Sequence, residues 1–182
     1  MTAEALPAFP YHLDPVATGA IERLPGTCRC CGQARGWLLS TTPYAVEDLR
    51  EALCPWCVAD GSAAARFDAS FNDLSDSEVP PEVPAEVVVE IEQRTPGFAA
   101  WQPEQWRFHC GDGAAFVAAV GWPELADLPD AIASVRADIA TWGWPENQID
   151  AFLEALDVDG SPTAYLFRCR RCGTHLAYAD MD

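Results

Sequence analysis

Thr27-Cys28-Arg29-Cys30-Cys31-Gly32 sets three cysteines in four consecutive positions. Two thiolates separated by two residues reach one ion from a single tight turn, and a glycine just after the second accepts backbone angles that other residues resist. Cys28 and Cys31, followed by Gly32, meet that description, whereas Cys28 with Cys30 does not. Cys30 is then the spare thiol, either packed inward as a small hydrophobe, left free, or drawn to another cysteine group. The same phrase returns as Cys169-Arg170-Arg171-Cys172-Gly173. Cys54-Pro55-Trp56-Cys57 has the spacing without the glycine and leads into Ala-rich sequence that can be helical. Six of the eight cysteines therefore pair as Cys-x-x-Cys, leaving Cys30 and Cys110 single.

Whether such pairs bind metal or cross-link depends on the compartment. No apolar run approaches the roughly 20 residues that cross a bilayer. The start, MTAEALPAFPYH, lacks the basic-then-apolar order of a signal peptide. We therefore expect a cytoplasmic protein without membrane contact, where a reducing environment favours metal binding or redox chemistry over disulfides. The formal charge is -17, from 28 acidic and 11 basic residues, and every basic residue is arginine. A four-thiolate zinc site adds about -2 more. Phosphate backbones repel such a surface, so nucleic acid is excluded as a general partner and a cationic protein segment is favoured.

The 182 residues suffice for one domain, or one domain with a small appendage. Residues 1–71 read as a turn-rich N-terminal arm followed by a treble-clef-like zinc module: a cysteine turn, the apolar run GWLLS, then LCPWC opening a helix. A Pro- and acid-rich connection, NDLSDSEVPPEVP, opens residues 72–182, an α+β region packed as one unit and ending in a knuckle hairpin. PAEVVVEIEQRTPG predicts a short helix between Pro84 and Pro96-Gly97, its valines leaving a strand as the alternative, and WRFHC a strand. GAAFVAAVG, LPDAIASVRADIATW and PENQIDAFLEALD read as helices, the last with Ile149, Phe152, Leu153 and Leu156 on one face. TAYLFR and THLAYA read as strands on either side of CRRCG, and VEDLREAL, before Cys54, reads as more helical than extended. The fold class is thus α+β, a small antiparallel sheet with zinc-knuckle and treble-clef elements and a segregated helical region.

Cys28, Cys31, Cys54 and Cys57 are expected to form one tetrahedral zinc site, with the helix after Cys54 favouring thiolate through its free amides. Cys169 and Cys172 need two further ligands, for which Cys110, His109, His175 and Cys30 are candidates. Cys110 with His175, three residues past Cys172, completes a second set, so one zinc is expected and a second is allowed. His12 and His109 read as ordinary hydrogen-bonding histidines. A Cys110–His109 nucleophile pair is disfavoured because neighbours in a strand point to opposite faces.

Two further signals carry less. Cys54-Pro55-Trp56-Cys57 resembles the active turn of glutaredoxins, but a buried strand before it is not evident. Asp157-Val158-Asp159-Gly160 lacks the remaining ligands of a calcium loop and reads as a helix-ending turn. Between Asp112 and Asp159 there are ten acidic residues and one arginine, while seven of the eleven arginines lie within five residues of a paired cysteine. That asymmetry suggests a docking face for a cationic partner.

Several phrases, YHLDPVATGAIE, CRCCGQARGW, LCPWCVADGSAAARFDASF, QRTPGFAAWQPEQWRFHCGD and YLFRCRRCGTHLAYAD, span nearly the whole chain. Together they resemble the CbrC family, a bacterial group associated with colicin tolerance. The resemblance implies a bacterial, cytoplasmic, single-unit protein linked to protection against a protein toxin, and brings no established enzyme activity; joined to the charge of -17, it suggests an immunity or tolerance protein that binds a cationic toxin domain through an acidic face. The sequence reading is accordingly a zinc-binding protein-interaction module rather than an enzyme. The alternatives are a thiol-disulfide oxidoreductase or a zinc-dependent hydrolase.

Overall fold

The structure, a computed structural model, describes residues 5–182. Its main sheet is antiparallel and has three strands, each hydrogen-bonded to the next in chain order. The strands are β5 (Ala115–Val120), β6 (Thr163–Arg168) and β7 (His175–Asp180). Alternate residues of these strands build two cores, as the period of two requires. Ala164, Leu166 and Ala177 face α4 (Trp122–Leu125), α5 (Pro129–Ala140) and α6 (Glu146–Glu154), with Leu125, Val135, Ile139, Phe152 and Leu153 among the buried partners. Tyr165, Phe167 and Tyr178 face the other way, into an aromatic core. There the Phe98 and Phe116 rings stack at 3.9 Å, with Phe167 edge-on to Phe116 at 5.4 Å.

Both edges of this sheet are covered, which removes the unpaired backbone groups that invite aggregation. Along β7, α5 lays down side chains four residues apart. Asp130 accepts from the His175 amide at 2.6 Å, and the Ser134 hydroxyl both donates to the Ala177 carbonyl and accepts from its amide. Along β5, the N-terminal arm pairs through Phe116, whose amide donates to the Tyr11 carbonyl and whose carbonyl accepts from Leu13.

His12 fixes that arm. Its Nδ1 lies 2.9 Å from the Pro96 carbonyl, which can only accept, so Nδ1 carries the proton and Nε2 accepts from the Thr18 hydroxyl at 2.7 Å. Burial holds the His12 pKa below its ordinary value. Between the folded and unfolded values the unfolded chain binds the extra proton. The stability His12 contributes is therefore full above about pH 6.5 and is lost as the pH falls below it, by at most about 1.4 kcal/mol per pH unit. Denaturant midpoints at pH 7.0 and 5.5 are expected to fall further for the wild type than for His12→Asn. Equal falls would remove His12 as the cause.

A third core surrounds the first cysteine turns, with β1 (Ile21–Glu22) paired antiparallel to β2 (Leu38–Leu39). Two short helices follow, α1 (Pro55–Ala59) and α2 (Ser62–Phe67). Then comes α3 (Ala85–Arg94), whose Arg94 Nε donates to the Ala59 carbonyl at 2.8 Å and ties it to α1. The buried Asn72 amide caps the far end of α3 by donating to the carbonyls of Ile91 and Thr95. The antiparallel sheets and separate helices make the fold α+β. No helix among the described residues is long and apolar enough to cross a membrane.

Two segments differ from the sequence reading. GAAFVAAVG is not a helix; it carries β5, paired with β6 from Ala115↔Arg168 to Val120↔Ala164 with one bulge between Phe116 and Ala118. Tertiary pairing outweighs the helical preference of its alanines. VEDLREAL forms no helix either. Glu51 adopts φ 50°, the Asp48 carboxylate accepts from the Arg50 amide, and Leu53 runs extended, its carbonyl accepting from Leu39 at 2.9 Å. Buried Leu49 and Leu53 fix the loop on the third core instead.

Candidate metal centres

The two CxxCG turns are built alike. In the first, the Cys28 amide donates to the Gln33 carbonyl at 2.9 Å and the Gly32 amide returns to the Cys28 carbonyl at 2.8 Å. In the second, Cys169 donates to Thr174 at 2.8 Å and Gly173 returns to Cys169 at 3.0 Å. Gly32 at φ 71° and Gly173 at φ 80° occupy the left-handed region, so the glycine after each pair is what lets the chain turn back. Each turn then presents two thiols to ligands from elsewhere, and the second source differs between them.

For the first turn the source is a helix start. Cys54 is the N-cap of α1, extended at φ -86° and ψ 151°, with Pro55 in the first helical position where its missing N–H is not needed. The Cys54 amide points at Cys28 Sγ at 3.3 Å. Cys28, Cys31, Cys54 and Cys57 place their sulfurs within 4.8 Å of one another. Cys28 Sγ is 3.9 Å from Cys57 Sγ, and Cys31 Sγ is 3.8 Å from Cys54 Sγ. Four thiolates at about 2.3 Å from one zinc define a tetrahedron of edge about 3.8 Å. A disulfide, at about 2.05 Å, is a different geometry.

The thiols of this group ionise unequally. The hydrogen bond from the Cys54 thiol chiefly holds Cys28 down at about 4, against the opposing effect of burial. The same contact, with burial, pushes Cys54 up, while burial raises Cys57 to about 12. Three of the four residues are buried, Cys31 alone being exposed. Cys30 stands outside the group, half-buried, with its sulfur 3.5 Å from the Ser62 hydroxyl.

For the second turn the source is a hairpin. β3 (Phe108–His109) pairs with β4 (Asp112–Gly113), with His109 opposite Asp112, and the two residues between them are Cys110 at φ 55° and Gly111 at φ 66°. Positive φ at both central positions is the type I′ turn that suits the twist of a two-residue hairpin. Cys110 therefore lies in the turn and not in the strand, so the alternation that separates strand neighbours does not act on it. His109 Nδ1 comes within 3.2 Å of Cys110 Sγ and 3.4 Å of Cys172 Sγ, and the two sulfurs are 3.8 Å apart. With a zinc–nitrogen distance of about 2.0 Å, the nitrogen–sulfur edge of a tetrahedron is about 3.5 Å.

The second group is therefore His109, Cys110, Cys169 and Cys172. This corrects the ligand set read from the sequence. The structure brings Cys110, Cys169 and Cys172 together, but its histidine is His109 and not His175. His175 lies on β7, where its Nδ1 is 3.4 Å from Asp130 Oδ2 on α5. The signal that could have found His109 is His-Cys-Gly-Asp read as a hairpin turn.

Exposure separates the two groups. Cys169 is buried, but Cys110 and Cys172 are exposed. The side-chain hydrogen bond between Cys172 and Thr174, 3.2 Å from Sγ to the hydroxyl, chiefly holds the Cys172 thiol below its ordinary value. Burial opposes ionisation of Cys169, and the amides of Cys172 and Arg171 outweigh it. Its contact with Cys172 pushes Cys110 up to about 11. His109→Ala is expected to remove one bound metal per chain, whereas His175→Ala leaves the metal content unchanged. Metal analysis of the two purified variants checks this, and the opposite pattern would restore His175.

The chain thus belongs to the class of α+β proteins that carry two four-ligand cysteine-rich groups able to hold metal ions. It is a member of the uncharacterised protein family UPF0167, whose profile matches residues 6–181. The UPF0167 protein Mb2317 of Mycobacterium bovis is 51% identical over 179 residues, covering 98% of this chain and 95% of the relative. The UPF0167 protein PA1536 of Pseudomonas aeruginosa is 42% identical over 182 residues, covering 97% of each chain. No solved structure matches the chain significantly. The resemblance to the CbrC family is corrected by these findings: the family is UPF0167, and neither its description nor its members' names carry a link to colicin tolerance.

Proposed function

We propose that the protein is a zinc-stabilised interaction module, in which both ligand groups hold zinc and an acidic surface engages a cationic segment of a protein partner. The observation that carries the zinc reading is the spacing of donors in both groups, which matches the edges of a zinc tetrahedron. Four protein donors leave no open position for a reactive water, which favours a structural over a hydrolytic role. The membership of Cys54 and Cys57 in a four-sulfur group likewise weighs against a dithiol redox turn.

The partner reading rests on charge. A formal charge of -17 raises association rates with cations and disfavours nucleic acid. Asp76 and Glu78 line one cleft together with Trp142, which is 41% exposed, and with Asp138, whose carboxylate is already paired with Arg107. Carboxylates beside an exposed indole suit a lysine or arginine side chain. Titration with an Arg- and Lys-rich peptide is expected to give binding at low salt that weakens steeply as salt rises. Absence of low-salt binding, or binding indifferent to salt, would count against the acidic face.

A further inference from the structure

One cleft on this acidic molecule carries the opposite charge. About 560 Å³ in volume, it opens beside the second ligand group and is floored by Ala115 of β5. Pro10 and Leu13 of the arm line it together with Arg168, Arg170 and Arg171, and with Cys169 and Cys172 of the ligand group itself. A bracket fixes one guanidinium in place. Arg170 lies over the Tyr11 ring at 4.4 Å and bonds Asp112 Oδ2 at 3.1 Å, while the Tyr11 hydroxyl donates to Asp112 Oδ1 at 2.8 Å. Asp112 is buried, and Arg171 Nε reaches the same Oδ2 at 3.8 Å.

One carboxylate therefore serves two guanidiniums. The third, on exposed Arg168, has no carboxylate partner among the described residues and lies along Gly173, where an added Cβ would stand 3.6 Å from its Nη2. Three thiolates and a neutral histidine around a divalent ion carry one net negative charge. With such an ion bound, that charge and Asp112 together would still leave one of the three arginine charges uncovered. Leu13, which lines the same cleft, is an apolar side chain 53% exposed.

We propose that this cleft is a binding site for a small organic oxyanion, a carboxylate or phosphate monoester bearing a short apolar group. Arg168 and Arg171 grip the anionic head with their planar forks, and Pro10, Leu13 and Ala115 contact the tail. Arg170 holds the shape of the cleft as a positioning residue. The proposal goes beyond the acidic-face reading, since the ligand has the opposite charge and the site lies at the second ligand group.

The test titrates the purified, metal-loaded full chain with inorganic phosphate, isobutyl phosphate and isovalerate, following heat or backbone amide shifts. Saturable binding is expected, several-fold tighter for an apolar-tailed probe than for inorganic phosphate, and the phosphate and carboxylate arms decide which head group is preferred. Arg168→Ala is expected to weaken binding by about tenfold or more. Leu13→Ser removes the advantage of the tail alone, and Arg50→Ala, outside the cleft, changes nothing. Zinc is counted on every variant. No saturable binding of any probe, or binding that Arg168→Ala leaves unchanged, would overturn the proposal. Loss of zinc from Arg168→Ala would overturn it too, by making the arginines part of the metal group's own charge balance.

Discussion

Cys54→Ser is expected to leave the chain without its first metal and without a stable fold at room temperature. Cys54 is buried, caps α1, and stands within 3.8 Å of Cys31 Sγ, so the substitution removes a thiolate where three others and a helix start converge. Structural zinc contributes about 10–16 kcal/mol in small zinc-binding peptides. Whole domains are stable by about 5–15 kcal/mol. A loss of even part of the first quantity exceeds what most folds hold in reserve. The loss reaches the third core directly, because Cys28, Cys54 and Cys57 are themselves among its buried members. Far-ultraviolet circular dichroism and metal content of the purified variant check this. A thermal melt equal to that of the wild type would show that the first group does not stabilise the fold through metal.

Removal of metal from the wild type is expected to proceed in two separated steps. A chelator should take half the bound metal first, from the group whose Cys110 and Cys172 are exposed. The rest should leave only with unfolding, since Cys28, Cys54 and Cys57 lie in the interior. After the first step Cys110 and Cys172 should react with a thiol reagent while the circular dichroism holds. The aromatic core is held by contacts among its own rings, Phe98 on Phe116 and Phe167 edge-on to both. Cys172→Ser should reproduce this state, with one metal retained and a folded protein. Simultaneous release of both metals, or unfolding in the first step, would contradict the separation.

What was legible in the sequence followed from local chemistry. Cys-x-x-Cys-Gly specifies its own turn, because the hydrogen bonds that close it and the positive φ of its glycine lie within six residues. Hence Gly32 identified Cys28 and Cys31 as the pair that meets Cys54 and Cys57, and left Cys30 aside with Ser62. The histidine of the second group was not legible in this way. Proximity in the chain pointed to His175, but the ligand geometry depends on a hairpin turn at Cys110-Gly111 that strand alternation concealed. β5 was misread for a related reason. Ala-Phe-Val-Ala-Ala-Val favours helix by itself, and only pairing with β6 and the arm makes it extended. The loop before Cys54 was misread because Leu49 and Leu53 pack on a core assembled from distant residues. The arginine cleft needed three segments at once, the arm, β5 and the second turn.

The central claim is that two four-ligand groups hold two zinc ions. Elemental analysis of the purified chain, run beside a count of reactive thiols before and after denaturation in chelator, tests it directly. The account predicts two zinc per chain, with seven of the eight thiols silent until the metal is removed and Cys30 the exception. Absence of bound zinc, with most of the thiols reactive in the folded protein, would contradict it.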